Sequence, residues 1–124
     1  MFLLVFHVLK QLPDDYLTKE QERNLLAASL LHDIGKSMWP EDWFTAPRKD
    51  IKESTWLAMQ MHPLLGEEFL HQIGFDAGPV LKIIAQHHEK QDGSGYPNGD
   101  VPSREAAVLS ACDMFSAMTR VFRF

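Results

Sequence analysis

Residues 25–36, LLAASLLHDIGK, decide the fold, because here an apolar helix leads directly into a histidine and an aspartate. Thr18 stands three residues before Gln21, a capping-box pattern for the helix N-terminus, and the apolar residues that follow have helical rather than alternating spacing. The sequence therefore predicts a helix that ends at about His32. A carboxylate at the end of an apolar helix is costly to bury unless it is paired or bound to metal, which makes Asp33 a candidate site residue.

The remainder of the chain has the same helical spacing, and we find no alternating strand pattern. The predicted fold class is therefore all-α, a bundle of about five to six helices. Leu65, Phe69, Leu70 and Ile73 are expected on the apolar face of their helix. The other predicted helices cover about residues 1–12, a segment after Asp50 that carries Trp56, Met59 and His62, residues 64–73, residues 80–88, and a last helix from Ser103 through Thr119.

Composition sets the class of protein. The 124 residues are 45% hydrophobic and 23% charged, as in one soluble globular domain spanning 1–124. The net charge of −5 argues against binding a nucleic-acid polymer, so positive charge for a phosphate ligand would come from bound metal ions. A single cysteine, Cys112, fits a cytoplasmic location. The apolar run 1–6 is far shorter than the ~20 residues that span a bilayer, so no membrane span is expected.

Several imidazole and carboxylate groups stand within or at the ends of predicted apolar helices. An isolated His-Asp pair has an ordinary interpretation as a helix C-terminal cap. Six such groups together are different, since burying them without metal would be costly, and imidazole with carboxylate suits iron, manganese, nickel or zinc. The predicted metal ligands are His32, Asp33, His62, His87, His88 and Asp113.

Two motifs carry a family resemblance. Residues 31–36, LHDIGK, resemble the HD-domain signature, and residues 87–97, HHEKQDGSGYP, look like the HD-GYP motif in full. The second is far more specific than a bare His-Asp pair. Residues 62–66, HPLLG, and 113–119, DMFSAMT, match as well, so the resemblance covers about residues 17–119. It implies an all-α HD-domain helical bundle and metal-dependent phosphohydrolase activity.

The resemblance further implies two or three transition-metal ions (Fe, Mn, Ni or Zn) and hydrolysis of cyclic di-GMP to linear pGpG or to GMP. It makes Asp33 a catalytic residue that bridges two ions, and Lys36 a catalytic residue that contacts the scissile phosphate. Lys36 alone would be an ordinary helix-end lysine.

The resemblance also implies that the loop of the second motif, residues 87–97, takes part in ligand recognition. Tyr96, with Gly95, would lie near the guanine nucleotide or a diguanylate-cyclase partner domain. Glycine at Gly95 permits close approach of the backbone to a ligand. Glu89 is expected to accept a hydrogen bond from a ligating histidine, and Asp92 to form a turn.

The family pattern is incomplete at both ends. His7 is the sole candidate for a further upstream ligand, and the alternative is an ordinary helix histidine. Arg120 and Arg123 are candidate phosphate contacts in the place of an Arg-Pro-Tyr stretch. We therefore expect a domain clipped at both ends, whose exposed apolar surface would be available for a homodimer.

Other functions stay open at this point. The alternative to an enzyme is a catalytically incomplete HD-GYP module that acts as a nucleotide receptor or protein-interaction domain. Nucleotide phosphohydrolysis, as in other HD proteins, accounts for residues 31–36 but leaves 87–97 unexplained. Cyclic GMP-AMP is an open alternative to cyclic di-GMP.

Overall fold

The computed structural model describes the backbone of residues 1–121 and the side chains of residues 1–119, and over that range the chain is all-α, as predicted. An additional five-residue helix forms in the segment predicted to be a loop, so this range has seven helices rather than five to six. They are α1 (Phe2–Gln11), α2 (Lys19–Leu31), α3 (Glu41–Thr45), α4 (Glu53–Met59), α5 (His62–Gln72), α6 (Gly78–Gln86) and α7 (Arg104–Val121), with 3-10 turns at Ile34–Lys36 and Arg48–Asp50.

The boundaries of α2 and α5 follow local chemistry. At the start of α2 the Thr18 hydroxyl accepts from the Gln21 backbone N–H at 3.1 Å, and the Thr18 N–H donates to the Gln21 side chain at 2.8 Å, which is the predicted capping box. His62 was expected within the preceding helix. It instead begins α5, where Pro63 is tolerated because a first-turn N–H has no partner within the helix.

The core is built mainly from α2, α6 and α7, with one residue from each of α1 and α5. These helices bring their apolar sides together, and the ends of α2 and α6 emerge from the core at the same place as the start of α5. The most deeply buried hydrophobic side chains are Val5, Leu25, Ala28, Ile83, Ile84, Ala106 and Leu109.

The α5 helix has a different buried face from the one predicted. Only Leu70 of the expected apolar face is buried, while Leu65, Phe69 and Ile73 are exposed. The buried stripe contains Gly66, one turn before Leu70. A Cβ on Gly66 would lie only 3.2 Å from the Gly35 nitrogen, so close packing here favours glycine over a large apolar residue, and α5 packs through the face that carries Gly66.

The close contact is between the HD motif and the start of α5. A Cβ atom on Gly35 would collide with the His62 carbonyl oxygen and would lie 2.8 Å from the Gly66 nitrogen. Gly35 therefore fixes how near the 3-10 turn after Asp33 can come to His62.

Among the described residues, no helix is both long enough and apolar enough to cross a membrane.

Candidate metal centre

Three histidines stand at the ends of helices, and the same kind of hydrogen bond to the backbone orients each of them. Each ring directs Nδ1 at the carbonyl oxygen three residues earlier, in the last turn of a helix. The last carbonyls of a helix have no N–H four residues later to accept from, so the histidine ring donates to the helix end while the helix end orients the ring. The Nδ1 to oxygen distances are 2.9 Å for His32 to Ser29, 2.9 Å for His62 to Met59, and 2.6 Å for His87 to Ile84.

This hydrogen bond also fixes the tautomer. A carbonyl oxygen can only accept, so Nδ1 carries the proton and Nε2 of each neutral ring offers a lone pair. The lone pairs converge, because Nε2 of His62 lies 3.3 Å from Nε2 of His87. His88 packs against both, with ring centroids 4.9 Å and 4.2 Å away. Three imidazoles therefore share one small volume.

The Asp33 carboxylate lies between two sets of donors. Its Oδ1 is 3.6 Å from Nε2 of His62 and 3.8 Å from Nε2 of His87, whereas its Oδ2 is 3.2 Å from Nε2 of His32. Asp113, from α7, is 3.7 Å from His32 and 3.6 Å from His88. The donors thus form two groups, His62 with His87 and His88, and His32 with Asp33 and Asp113.

These groups fit metal ions. Donor atoms about 2.1 Å from one ion stand about 3.0 Å apart at octahedral angles and about 3.4 Å apart at tetrahedral angles, close to the 3.2–3.8 Å separations here. His32 Nε2 and Asp33 Oδ1 are buried without a hydrogen-bond partner among the described residues, which is unfavourable unless a ligand satisfies them. The cluster can therefore bind metal.

The two groups differ in charge. Burial alone would lower the pKa of His32, but pairing with Asp113 and Asp33 outweighs it and raises the pKa to about 9. Burial lowers the pKa of His62 to about 4, and burial together with the charges of His87 and His62 lowers that of His88 to about 3. At neutral pH His62 and His88 are therefore neutral donors.

The carboxylates stay ionised despite burial. Burial would raise the pKa of Asp33, but pairing with the nearby His32 and His87 rings holds it far below its usual range. The pKa of Asp113 is likewise lowered, because pairing with His32 outweighs burial. The site therefore presents two negative charges to a cation.

A cleft opens beside the first donor group. Lys36 lies at its edge, with Nζ 3.5 Å from Asp33 Oδ1. The Tyr96 ring stacks on His88 at 4.9 Å between centroids, and burial, followed by the charges of Asp113 and Asp33, raises its pKa to about 12. The cleft is about 210 Å³ and is lined by Lys36, Trp39, Trp56, Met59, Gln60, His62, His88 and Tyr96.

Glu89 holds the loop that carries Tyr96. It is buried, and its Oε1 accepts from the backbone N–H groups of Asn98 at 2.8 Å and Gly99 at 3.2 Å. The expected partner, a ligating histidine, was wrong, because Glu89 contacts these backbone N–H groups and the Nδ1 atoms of His32, His62 and His87 use backbone carbonyls.

Two further residues of this loop, Gly95 and Asp92, contact the backbone of neighbouring residues. A Cβ on Gly95 would collide with the His88 carbonyl oxygen and lie 2.6 Å from the Lys90 nitrogen, so the close approach at this glycine is to the backbone of residues 88–90. Asp92 Oδ1 accepts from the Ser94 N–H at 2.9 Å, which is the predicted turn.

The remaining predicted residues lie elsewhere. His7 is exposed on α1 and belongs to neither donor group, and His71 is exposed on α5. Arg123 lies outside the described residues, as does the side chain of Arg120. Trp39 and Trp56, which motif spacing did not select, line the cleft. The sequence could have indicated that Trp56 and Gln60 lie together, because residues four apart share a face of a helix.

Comparison with known sequences identifies the family. The sequence model of the HD domain family matches residues 8–123. The chain belongs to the HD domain family. Its HD domain is of the HD-GYP type, as residues 87–97 predicted.

Its curated relatives are bacterial phosphodiesterases. 3'3'-cGAMP-specific phosphodiesterase 1 of Vibrio cholerae is 35% identical over 120 residues, covering 92% of this HD domain chain and 26% of the relative. The cyclic di-GMP phosphodiesterase response regulator RpfG of Xanthomonas campestris is 36% identical over 106 residues, or 82% and 28%. A cyclic di-GMP phosphodiesterase of Pseudomonas aeruginosa is 33% identical over 95 residues, or 74% and 23%. The chain spans about a quarter of the length of these relatives.

Proposed function

We propose that this chain is a metal-dependent phosphodiesterase that hydrolyses the phosphodiester bonds of cyclic di-GMP to linear pGpG or to GMP. The observation that carries the proposal is the position of Asp33, whose two oxygens face two separate groups of histidine and carboxylate donors. A carboxylate shared between two donor groups suits a centre of two ions acting on one phosphate.

The residues that would hold the ions are His32, Asp33, His62, His87, His88 and Asp113, and the imidazole-carboxylate set favours Fe, Mn, Ni or Zn. When bound, such ions lower the pKa of a water molecule and offset the negative charge of the phosphate. The helix-end carbonyls keep the rings of His32, His62 and His87 in place, so these rings need not turn before an ion binds. A third ion would need donors beyond these two groups.

Lys36 is the proposed phosphate contact. Its ammonium group faces the shared carboxylate and also lines the cleft, so a phosphate oxygen entering the cleft would meet a positive charge. Arg120 and Arg123 are proposed as further phosphate contacts, and Gly95 and Tyr96 as part of the recognition loop. Tyr96 is a neutral hydrogen-bond donor at physiological pH, and burial moves its pKa further from that range, to about 12.

The names of the relatives support a cyclic dinucleotide as substrate, and they include enzymes for cyclic di-GMP and for 3'3'-cGAMP. The HD-GYP-type motif favours cyclic di-GMP as the first substrate to test. A diguanylate-cyclase partner, a homodimer and a cytoplasmic location stay predictions from the sequence.

Turnover by the purified chain tests the proposal. The protein is loaded with Mn²⁺ or Fe²⁺, incubated with cyclic di-GMP or cyclic GMP-AMP, and the products are separated by chromatography. We expect metal-dependent formation of linear dinucleotide or GMP, abolished by Asp33→Ala. Asp76→Ala is the matched control, because Asp76 is an exposed carboxylate outside both donor groups. Stoichiometric metal without metal-dependent turnover would overturn the proposal.

A further inference from the structure

The cleft beside the donor cluster has aromatic walls that the phosphate chemistry does not use. Trp56 and Gln60 are four residues apart on α4 and its C-terminal cap, so they lie on one face. Both line the cleft together with Trp39. An indole face beside a side-chain amide offers a stacking surface and a hydrogen-bonding edge in one place.

We propose that this cleft binds one purine base of the substrate, with the base stacked on Trp56 and its edge hydrogen-bonded by the Gln60 amide. The inference rests on the proposed function, since it assigns a subsite to the same substrate.

The cleft is continuous with the donors. The Trp39 ring meets the His62 ring edge to face at 5.6 Å between centroids, and Lys36 Nζ lies 5.3 Å from the Trp39 ring centroid. Lys36 therefore stands between the donor cluster and the aromatic wall. A nucleotide with its phosphate at Lys36 has its base directed into this cleft or away from the protein, and only the first direction buries the base.

The size of the cleft limits what enters. Its volume of about 210 Å³ is below the roughly 300–1,000 Å³ of pockets that enclose a whole drug-sized ligand. One planar base fits, and the rest of the dinucleotide lies outside.

The chemistry of the lining suits a base. Aromatic side chains bind nucleobases by stacking, which contributes about 1–3 kcal/mol per base. The Gln60 amide supplies both a donor and an acceptor, which matches purine edges that also present both. A purely apolar ligand would leave this amide without a partner.

Trp56 is held ready for stacking. The guanidinium carbon of Arg48 lies 4.2 Å from the Trp56 ring centroid, and Arg48 pairs with Glu53 at 3.8 Å. A cation on a ring face is favourable and restricts how the indole can turn. The contact with Arg48 therefore favours one orientation of the indole before ligand binds.

The test compares two ligands that differ only in the base. Dissociation constants of GMP and ribose 5-phosphate are measured by calorimetry on the metal-loaded chain. Wild type is expected to bind GMP about 5 to 150 times more tightly, the factor that corresponds to about 1–3 kcal/mol of stacking. Trp56→Ala should bring the ratio close to one, and Gln60→Leu should lower it in part.

Leu57→Ala is the matched control, because Leu57 lies on the exposed side of the same helix and should keep the wild-type ratio. A wild-type ratio of one, or a ratio unchanged in both Trp56→Ala and Gln60→Leu, would overturn the base subsite. Loss of ribose 5-phosphate binding in parallel with GMP would show a structural effect and also count against it.

These readouts need no turnover. A chain that prefers GMP through Trp56 but hydrolyses no cyclic dinucleotide keeps the subsite and contradicts the proposed activity. A chain that hydrolyses cyclic di-GMP but binds GMP no more tightly than ribose 5-phosphate keeps the proposed activity and contradicts the base subsite.

Discussion

Nε2 of His62 and Nε2 of His87 face each other at 3.3 Å, although both rings already direct Nδ1 at a backbone carbonyl. With the proton of each ring on Nδ1, the two Nε2 lone pairs oppose each other, which is repulsive. A cation between them turns the repulsion into attraction. The pKa of His62, lowered to about 4 by burial, makes a metal ion rather than a proton on His62 the favoured cation at neutral pH.

Metal removal should therefore destabilise the fold. Thermal unfolding followed by circular dichroism should show a higher Tm with saturating Mn²⁺ than after treatment with a chelator. At a metal concentration 100 times the Kd, the gain in the free energy of unfolding should be about 3 kcal/mol. His62→Ala should lose most of this shift. His71→Ala, an exposed histidine on the same helix, should retain it. Equal shifts in the two variants would contradict the assignment of His62 as a donor.

Metal binding should release about one proton per chain at pH 7, and His32 should supply it. The pKa of His32 is raised to about 9, so the metal-free ring is protonated at pH 7, and binding through Nε2 must displace that proton. His62 and His88, with pKa values of about 4 and about 3, are already neutral and release none.

Calorimetric titrations in buffers of different ionisation enthalpy measure this release. It should disappear as the pH rises above about 9 and be absent at pH 7 in His32→Gln. In the metal-free protein, the same raised pKa stabilises the fold fully below pH 6.5, and this contribution is lost as the pH rises from 6.5 to about 9. Release that persists in His32→Gln would assign the proton to another group.

Gly35→Ala should be among the most damaging single methyl additions in the chain. The new Cβ would collide with the His62 carbonyl oxygen, and backbone cannot move aside as a side chain can. We expect a loss of at least about 3 kcal/mol in the free energy of unfolding, the upper part of the range for overpacking, together with loss of metal affinity. Denaturant unfolding measures the first and metal titration the second.

Gly78→Ala is the matched control, since a Cβ there meets nothing within 4 Å. It should be neutral or stabilising by up to about 1 kcal/mol. Comparable losses in both variants would show that the contact at Gly35 is not the cause.

Glu89→Ala should loosen the recognition loop. The Asn98 and Gly99 N–H groups would lose their acceptor, at a cost of about 1–3 kcal/mol in stability, while the metal donors remain. We expect a raised KM for cyclic di-GMP with metal content unchanged. Glu41→Ala, at an exposed glutamate, should leave both unchanged. Loss of metal from Glu89→Ala would instead place Glu89 in the support of the donors.

The sequence predicted the helical class because the apolar periodicity was clear in each long helix, and the capping box marked the start of α2. It failed on the buried face of α5, since periodicity ranks side chains by hydrophobicity and cannot show that Gly66 is needed where two backbones meet. The short α3 helix was missed for a related reason, because five residues are too few to establish a period.

The members of the donor cluster could be named from residue type and motif, but their geometry could not. Pairing of Nδ1 with a carbonyl three residues earlier depends on where each helix ends, and helix ends are the least certain part of a prediction from sequence. The aromatic cleft could not be predicted from the sequence for a similar reason. Trp56 was predicted only as part of a helix, and it is the arrangement of α4 beside Lys36 and His62 that shows Trp56 lining an opening.

The three histidines draw their support from the last turns of α2, α4 and α6, so three helix carboxyl ends aim at one point. Each such end carries a partial negative charge of roughly half an electron, made by peptide groups rather than side chains. Part of the electrostatic attraction for cations therefore comes from backbone peptide groups, which remain when a side chain is substituted. Replacing one ligand with another should change which metal is preferred while leaving intact the field that draws a metal to this position.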